Sequence, residues 1–386
     1  MPMIPLFRPD YGQAEIDAVH QVLESGWTGR GGKVAKLEET LGKFLNVPEE
    51  NITTTTCATE GIFAIFERIG LNLGDEVLLP SISFVGIATA VRNFKANIVW
   101  CDSDKYSLQM NIEDAYSKIT EKTRAIVLNH YGGYQACDQK FIESLQSKGI
   151  VVIEDAACAF GANSGPSPDK KLGTLADFGI WSFDSMKLIS MGDGGLIYAK
   201  SQTDIDWIIK RNYFGLSENA KTGFSSAKIS SEKWWEFDVS FAGKRAILND
   251  IAASIGLAQL DRIDYLLKKR RSIIDRYLQN LSGIIGISGM TTQNSDTNSS
   301  PYLFWIQTKL RDELAQYLIK KDIYTSFRYY PLHLVPYFNE SKIIELPGAE
   351  YAAKVTLNLP LHPKLLDSEV DFISDSIIKF MSDRVV

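Results

Sequence analysis

Lys187 closes the run Ser182-Phe183-Asp184-Ser185-Met186-Lys187, and Gly192-Asp193-Gly194-Gly195 follows shortly after. The β-rich run 178–183 (FGIWSF) ends beside it, so the lysine is expected just past the carboxyl end of a strand, among small residues that let it reach a cleft. A free lysine amine has a pKa of about 10.4, so roughly one in a few thousand is neutral at pH 7. Attack on a carbonyl needs that neutral form, which burial or a nearby cation supplies. Taken alone, a lysine is more often a solvated surface charge. Upstream, Glu154-Asp155-Ala156-Ala157 follows the apolar run 150–153 (IVVI). A carboxylate there either faces the same crevice or caps a helix. Cys57-Ala58-Thr59-Glu60-Gly61 opens the amphipathic run 62–70 (IFAIFERIG). Small residues and a hydroxyl at a helix start suit a phosphate, or plain capping. Pro80-Ser81-Ile82-Ser83-Phe84 reads as a strand-end turn whose Phe84 either stacks on a flat ring or joins the core. Each signal is modest. In this chain order they indicate a phosphate-bearing cofactor held by a lysine.

Positioning such groups takes a sheet whose strands end together. β-rich runs at 76–79, 97–100, 125–129, 150–154, 178–183 and 195–199 alternate with amphipathic stretches such as 139–148. That pattern predicts an α/β fold: a large domain with a mostly parallel central sheet covered by helices on both faces. Ligands on such sheets sit at the carboxyl ends of strands. Residues 13–24 carry Ile16, Val19, Val22 and Leu23 at helical spacing, with Gly26 as a stop. A polar, aromatic stretch at 212–245 reads as a long excursion. Residues 248–282 read as one long helical region, 291–300 as a polar connector, 302–307 as a strand, and 312–321 and 367–382 as helices. We expect a large domain over 1–249 and a smaller α+β domain over 250–386.

The chain has 386 residues and a formal net charge of −6, which argues against nucleic acid or an anionic membrane as partner. KKRR at 268–271 reads as the solvated face of a helix. Cys57, Cys101, Cys137 and Cys158 form no C-x-x-C pair, so no metal site is expected, and few scattered cysteines fit a reducing cytosol. The N-terminal segment lacks the pattern of a signal peptide, and no apolar run nears the roughly 20 residues that span a bilayer. A cytoplasmic protein is expected.

The combined pattern resembles the DegT/DnrJ/EryC1/StrS sugar aminotransferases, a group of fold-type I, aspartate-aminotransferase-like enzymes. The resemblance runs through SGWTGRGGKVAKLEE (25–39), ATEGIF (58–63), GDEVLLPSISFVGIATAV (74–91), NHYGG (129–133), VVIEDAACAFGA (151–162), WSFDSMK with GDGG, NDIAASIGLAQLDRID (249–264), SFRYYPLHLVPYF (326–338) and LPLHP (359–363). It implies a pyridoxal 5'-phosphate enzyme that cycles through pyridoxamine phosphate. The enzyme would move an amino group from L-glutamate to a nucleotide-linked 3- or 4-keto-6-deoxysugar, as in the making of surface polysaccharide or glycoconjugates.

Carried over by position, Lys187 would hold the cofactor and shuttle the proton, and Asp155 would pair with its ring nitrogen. Phe84 would stack on one face of the ring, with Ala157 on the other. Ala58, Thr59 and Glu60, through backbone N–H groups, would hold the phosphate with Ser182. Arg245 would reach the phosphate of the partner subunit, which makes a homodimer with shared sites. His333, Arg30 and Tyr330 would lie near substrate, and Tyr329, Trp234 and Trp235 either line the sugar pocket or pack elsewhere. Three positions depart from the family pattern. Cys158 stands where Gln or His meets the ring hydroxyl, Lys244-Arg245 where Tyr-Asn or Tyr-Lys is common, and Arg30 in a Thr-rich segment. Two rival readings are a dehydratase of the same family, in which histidine replaces the lysine, and a non-catalytic sugar-nucleotide binder. Lys187 argues against the first, and intact Lys187 and Asp155 against the second.

Overall fold

The computed structural model describes residues 3–165, 167–216, 237–291, 298–339 and 343–384. Trp234, Trp235 and most of the 212–245 excursion lie outside the described residues, as does 292–297 of the polar connector. In chain order the described strands begin with β1 (Ile52–Thr55), β2 (Glu76–Pro80), β3 (Asn97–Cys101), β4 (Thr123–Asn129) and β5 (Val151–Asp155). A small hairpin of β6 (Asn163–Ser164) and β7 (Ser167–Lys171) precedes β8 (Phe178–Ser182) and β9 (Gly195–Ala199). Seven of these form one sheet in the order β1-β9-β8-β5-β4-β2-β3. Neighbours from β3 to β8 are parallel, and β9 runs antiparallel to both β1 and β8. The register sets Asn129 beside Asp155 and Asp155 beside Ile180, so β4 and β5 end level and β8 runs two residues further, to Ser182.

Side chains alternate across each strand. Leu78, Ile126, Leu128, Val152 and Trp181 join a core on one face, and Val77, Leu79, Val127, Ile153 and Ile180 a core on the other. Both faces are apolar, which is why the strands read as unbroken hydrophobic runs. The helices around this sheet are α1 (Gln13–Glu24), α2 (Gly32–Leu45), α3 (Ala58–Arg68), α4 (Val85–Asn93), α5 (Ile112–Ser117), α6 (Gln139–Gln146) and α7 (Gln202–Asn212). Next come α8 (Asp250–Leu260), which packs on α1 and α2, and α9 (Ile263–Leu281). Strands β10 (Gly289–Met290), β11 (Phe304–Gln307) and β12 (Thr356–Leu359) form an antiparallel sheet. Around it lie α10 (Arg311–Ile319), α11 (Pro336–Asn339), α12 (Pro347–Val355) and α13 (Asp367–Ser382). A third core of Ile273, Tyr277, Phe304, Leu357 and Phe380 also takes in Ile4 from the N-terminal segment.

Two expectations are corrected. The helical region 248–282 is two helices, broken at Arg262, where ψ is 9°. Gln259 donates to Asp10 O and Glu15 Oε1, and Arg262 donates to Asp10 Oδ2 at 2.7 Å. Both side chains therefore tie the break to the start of α1. In KKRR, Arg270 is buried and not solvated: its Nη1 donates to Leu361 O at 3.1 Å. Desolvation pulls its pKa down to about 10.

Candidate active site

At the carboxyl ends of the central strands lies a cavity of about 340 Å³. Cys57, Ala58, Thr59, Phe84, Asn129, Asp155, Ala157, Cys158, Ser182, Lys187, Tyr302, Arg328 and Tyr329 are among its walls. Neighbouring parallel strands that end at the same edge of the sheet explain the convergence. β5 ends on Asp155, β8 on Ser182 and β4 on Asn129, while the start of α3 after β1 brings in Thr59 and the turn after β2 brings in Phe84.

Lys187 Nζ lies 3.4 Å from Cys158 Sγ and 4.8 Å from the centre of the Tyr302 ring. Desolvation works against its charge, but attraction to Cys158, Tyr302 and Tyr329 in their ionised forms, and to Asp155, outweighs that and raises its pKa well above the ordinary lysine value. Burial pushes the Cys158 thiol and the Tyr302 and Tyr329 phenols up, so all three carry protons at neutral pH.

Asp155 is buried, and its Oδ1 accepts from Ala157 N–H at 3.0 Å. Desolvation raises its pKa, against pulls from that N–H, Lys187 and His130. Its second oxygen accepts from no described group and is available to a protonated ring nitrogen. Glu154, one residue earlier, points away from the cavity. It is fully buried and accepts from Gly173 N, Leu175 N, Ala176 N and His130 Nε2 at 2.6–2.9 Å. His130 Nδ1 accepts from Ala136 N–H, so its single ring proton sits on Nε2.

The first residues of α3 supply the anion wall. Cys57 caps the helix, and its sulfur takes the Glu60 N–H at 3.4 Å. The Ala58 and Thr59 N–H groups, at the first helical positions, have no partner among the described residues. Two orphan donors at a helix start suit a phosphate. Gly195 lets β9 pass close behind them: a Cβ there would stand 2.7 Å from Ala58 N. Phe84 is 46% exposed, so it belongs to the rim and not to the core, and its ring meets Tyr329 edge-on at 5.9 Å. Together these residues fit pyridoxal phosphate: a lysine for its carbonyl carbon, an acid for its ring nitrogen, and free N–H groups for its phosphate.

Not every expected residue lines this cavity. Glu60 does not; its carboxylate pairs with Arg211, and its N–H is spent on Cys57. His333 is buried behind the Phe84 segment, with Nδ1 2.5 Å from Ser81 Oγ and Nε2 3.6 Å from Glu350. Desolvation lowers its pKa. Arg30 pairs with Glu38 at 2.8 Å and lines a different, open hollow with Trp27, Tyr213 and Asp250. Tyr330 is 57% exposed and outside the walls. Arg245 is exposed, its guanidinium over the Phe214 ring at 5.7 Å. Sequence reasoning missed Asn129, Tyr302 and Arg328 as walls of the site. Asn129 and Arg328 stand in stretches that carry the family resemblance, but nothing in their spacing marks them out. Tyr302 follows a polar connector with no signal at all.

The DegT/DnrJ/EryC1/StrS aminotransferase family model matches residues 9–378. The dTDP-4-dehydro-2,3,6-trideoxy-D-glucose 4-aminotransferase of Saccharopolyspora spinosa is 36% identical over 99% of this chain and 98% of its own. The crystal structure of the aminotransferase TlmJ from Streptoalloteichus hindustanus superposes with a TM-score of 0.91, at 37% identity over 99% of both chains. A Streptococcus pneumoniae protein assigned as a sugar aminotransferase, solved in its PMP form, has a TM-score of 0.88 at 27% identity, over 99% of this chain and 100% of that one. With the site built as above, the chain belongs to the DegT/DnrJ/EryC1/StrS aminotransferase family and shares its fold, its aminotransferase chemistry and its pyridoxal phosphate.

Proposed function

We propose that this chain moves the amino group of L-glutamate to the carbon-4 ketone of a nucleotide-linked deoxysugar, acting as a cytoplasmic homodimer. Pyridoxal phosphate, when bound, carries the amino group between the two substrates. The observation that carries the reading is the meeting of Lys187, Asp155 and the free N–H groups of Ala58 and Thr59 in one cavity. Lys187 holds the cofactor and then moves the proton at the carbon that gains or loses the amine. Asp155 keeps the ring nitrogen protonated, and its burial strengthens that pairing. Ala58, Thr59 and Ser182 take the phosphate, while Phe84 and Ala157 hold the ring between them. Arg245, exposed and outside its own cavity, reaches the phosphate in the partner subunit. Carbon 4 is favoured over carbon 3 by the 36% identity to an enzyme named for a 4-dehydro sugar.

The test is visible absorbance. The purified protein with pyridoxal phosphate should be yellow, and glutamate should bleach the band. A dTDP-, UDP- or GDP-linked 4-keto-6-deoxysugar should then restore it with release of a 4-aminosugar. A protein that never gains the band, or that is bleached but regains it with no 4-ketosugar, overturns the reading.

A further inference from the structure

Arg211 is a fully buried cation that no step above uses. It stands in the last turn of α7, which packs on α3. Its Nη1 donates to Glu60 Oε1 in the first turn of α3, and its Nε donates to Glu67 Oε2 at 2.9 Å near the far end. Seven residues span about 10.5 Å along a helix axis, so one guanidinium that holds both side chains limits how far α3 can slide or roll. The Ala58 and Thr59 N–H groups lie at the end of α3 that Glu60 holds. The backbone of the same residue holds a second segment. Lys244 N–H donates to Arg211 O at 2.6 Å, and Ala246 N–H donates to Asn212 O at 2.9 Å. The residues on both sides of Arg245 are therefore tied to the end of α7. Lys244 Nζ stands 3.7 Å from Glu60 Oε1, the oxygen that also takes Arg211. Gly243 packs so closely that an added Cβ would lie 2.6 Å from Arg211 O.

A buried ion pair adds little net stability over apolar packing of the same size. What this one supplies is position. We propose that Arg211 is a positioning residue for both cofactor phosphates of the dimer: for its own site through α3, and for the partner subunit's site through the segment that bears Arg245. The second half rests on the reading above that Arg245 crosses to the partner. Arg211 is not among the walls of the cavity. It acts through the N–H groups at the start of α3 and through the Arg245 guanidinium, which are the groups placed on phosphate. One side chain thus fixes the wall of one site and the arm that completes the other.

The experiment titrates cofactor-free wild type, Arg211→Met and Arg211→Lys with pyridoxal phosphate and with pyridoxal, which lacks the phosphate, and follows the visible band of each. Misplaced phosphate donors lower the ratio of the two affinities, whereas a purely structural defect moves both alike. In Arg211→Met the ratio should fall by about 10- to 100-fold, the range for one lost charge-assisted bond. Arg211→Lys, which keeps charge without the fork, should fall between. If Arg211→Met does not fold, Glu60→Gln carries the test, because it leaves the Arg211–Glu67 pair in place, and it should lower the ratio too. Two doubly tagged mixed dimers separate the arms, since only a site with Lys187 gives the band. Arg211→Met paired with Lys187→Ala reads the α3 arm; wild type paired with the Arg211→Met, Lys187→Ala double variant reads the crossing arm. Both should show a lowered ratio. A folded Arg211→Met with the wild-type ratio overturns the proposal, and a wild-type ratio in either mixed dimer overturns that arm. Arg245→Ala, run alongside, tells the two failures apart. If it also keeps the wild-type ratio, the shared-site reading falls; if it lowers the ratio, that reading stands and only the role of Arg211 is lost.

Discussion

Gly195→Ala is the sharpest probe of the phosphate wall, because it adds one methyl group and no charge. Gly195 opens β9, paired with Thr55 on one side and Ser182 on the other. The added Cβ would stand 2.7 Å from Ala58 N and from Cys57 C, and 3.0 Å from Ala58 Cα. All three are backbone atoms, so no side chain can swing aside. Ordinary contact begins at 3.4 Å, so the start of α3 must retreat by about 0.7 Å. A donor set to meet a phosphate oxygen at roughly 2.9 Å does not keep that distance and alignment through a shift of about 0.7 Å. One charge-assisted bond contributes about 1.5–3 kcal/mol, so pyridoxal phosphate should bind about 10- to 100-fold more weakly. Overpacking costs stability as well, about 1–3 kcal/mol. The assay is titration of the cofactor-free protein with pyridoxal phosphate, read by visible absorbance, with a denaturant melt alongside. Gly32→Ala at the start of α2, where an added Cβ meets nothing within 4 Å, is the matched control. If folded Gly195→Ala binds cofactor as wild type does, the Ala58 and Thr59 N–H groups are not the phosphate site.

Asp155→Asn removes the charge that keeps the ring nitrogen protonated. Turnover should drop by about 100-fold or more, each 1.4 kcal/mol of lost barrier stabilisation being tenfold; a near-normal kcat would remove Asp155 from the chemistry. Mixing Lys187→Ala with Arg245→Ala protein should regain activity that neither has alone, since one site of each mixed dimer keeps both residues. No regain, once subunit exchange is demonstrated, would place Arg245 outside the partner's site. His362 is buried, and desolvation, aided by Arg270 and Arg8, lowers its pKa from 6.5 to about 4. The unfolded chain then binds a proton below pH 6.5 that the folded one refuses until about pH 4. Stability present above pH 6.5 should therefore be lost between those limits, by about 3 kcal/mol. Denaturant melts of His362→Gln should show a flatter profile over that window, and matching slopes would refute the assignment.

The large sheet was legible because each parallel strand is buried on both faces and so reads as a short apolar run between amphipathic stretches. The 76–79, 97–100 and 195–199 runs all lie within strands of the sheet. What failed to show was set by distant partners. The break at Arg262 is made by groups some 250 residues earlier, Asp10 and Glu15, and no local breaker marks it. Arg270 carries the same signal as its solvated neighbours Lys268 and Lys269. Only the chain returning at Leu361 supplies the carbonyl that lets it be buried.

Within the site, strand pleating divides the labour between two adjacent acids. In sequence Glu154 and Asp155 are equivalent candidates beside one apolar run. Successive side chains of a strand point to opposite faces, so only one of them can enter the cavity. Glu154 turns inward to the loop 173–176, and its four acceptor bonds leave nothing for a ligand. In doing so it holds His130, whose own N–H donates to Asp155 O at 3.0 Å. Asp155 keeps one oxygen uncommitted and sits level with Asn129 across the sheet. The first acid thus fixes the loop and the neighbouring strand against which the second is held. A buried carboxylate with a spare oxygen has desolvation to overcome, and that cost is carried by the surrounding fold until a protonated nitrogen arrives to share it.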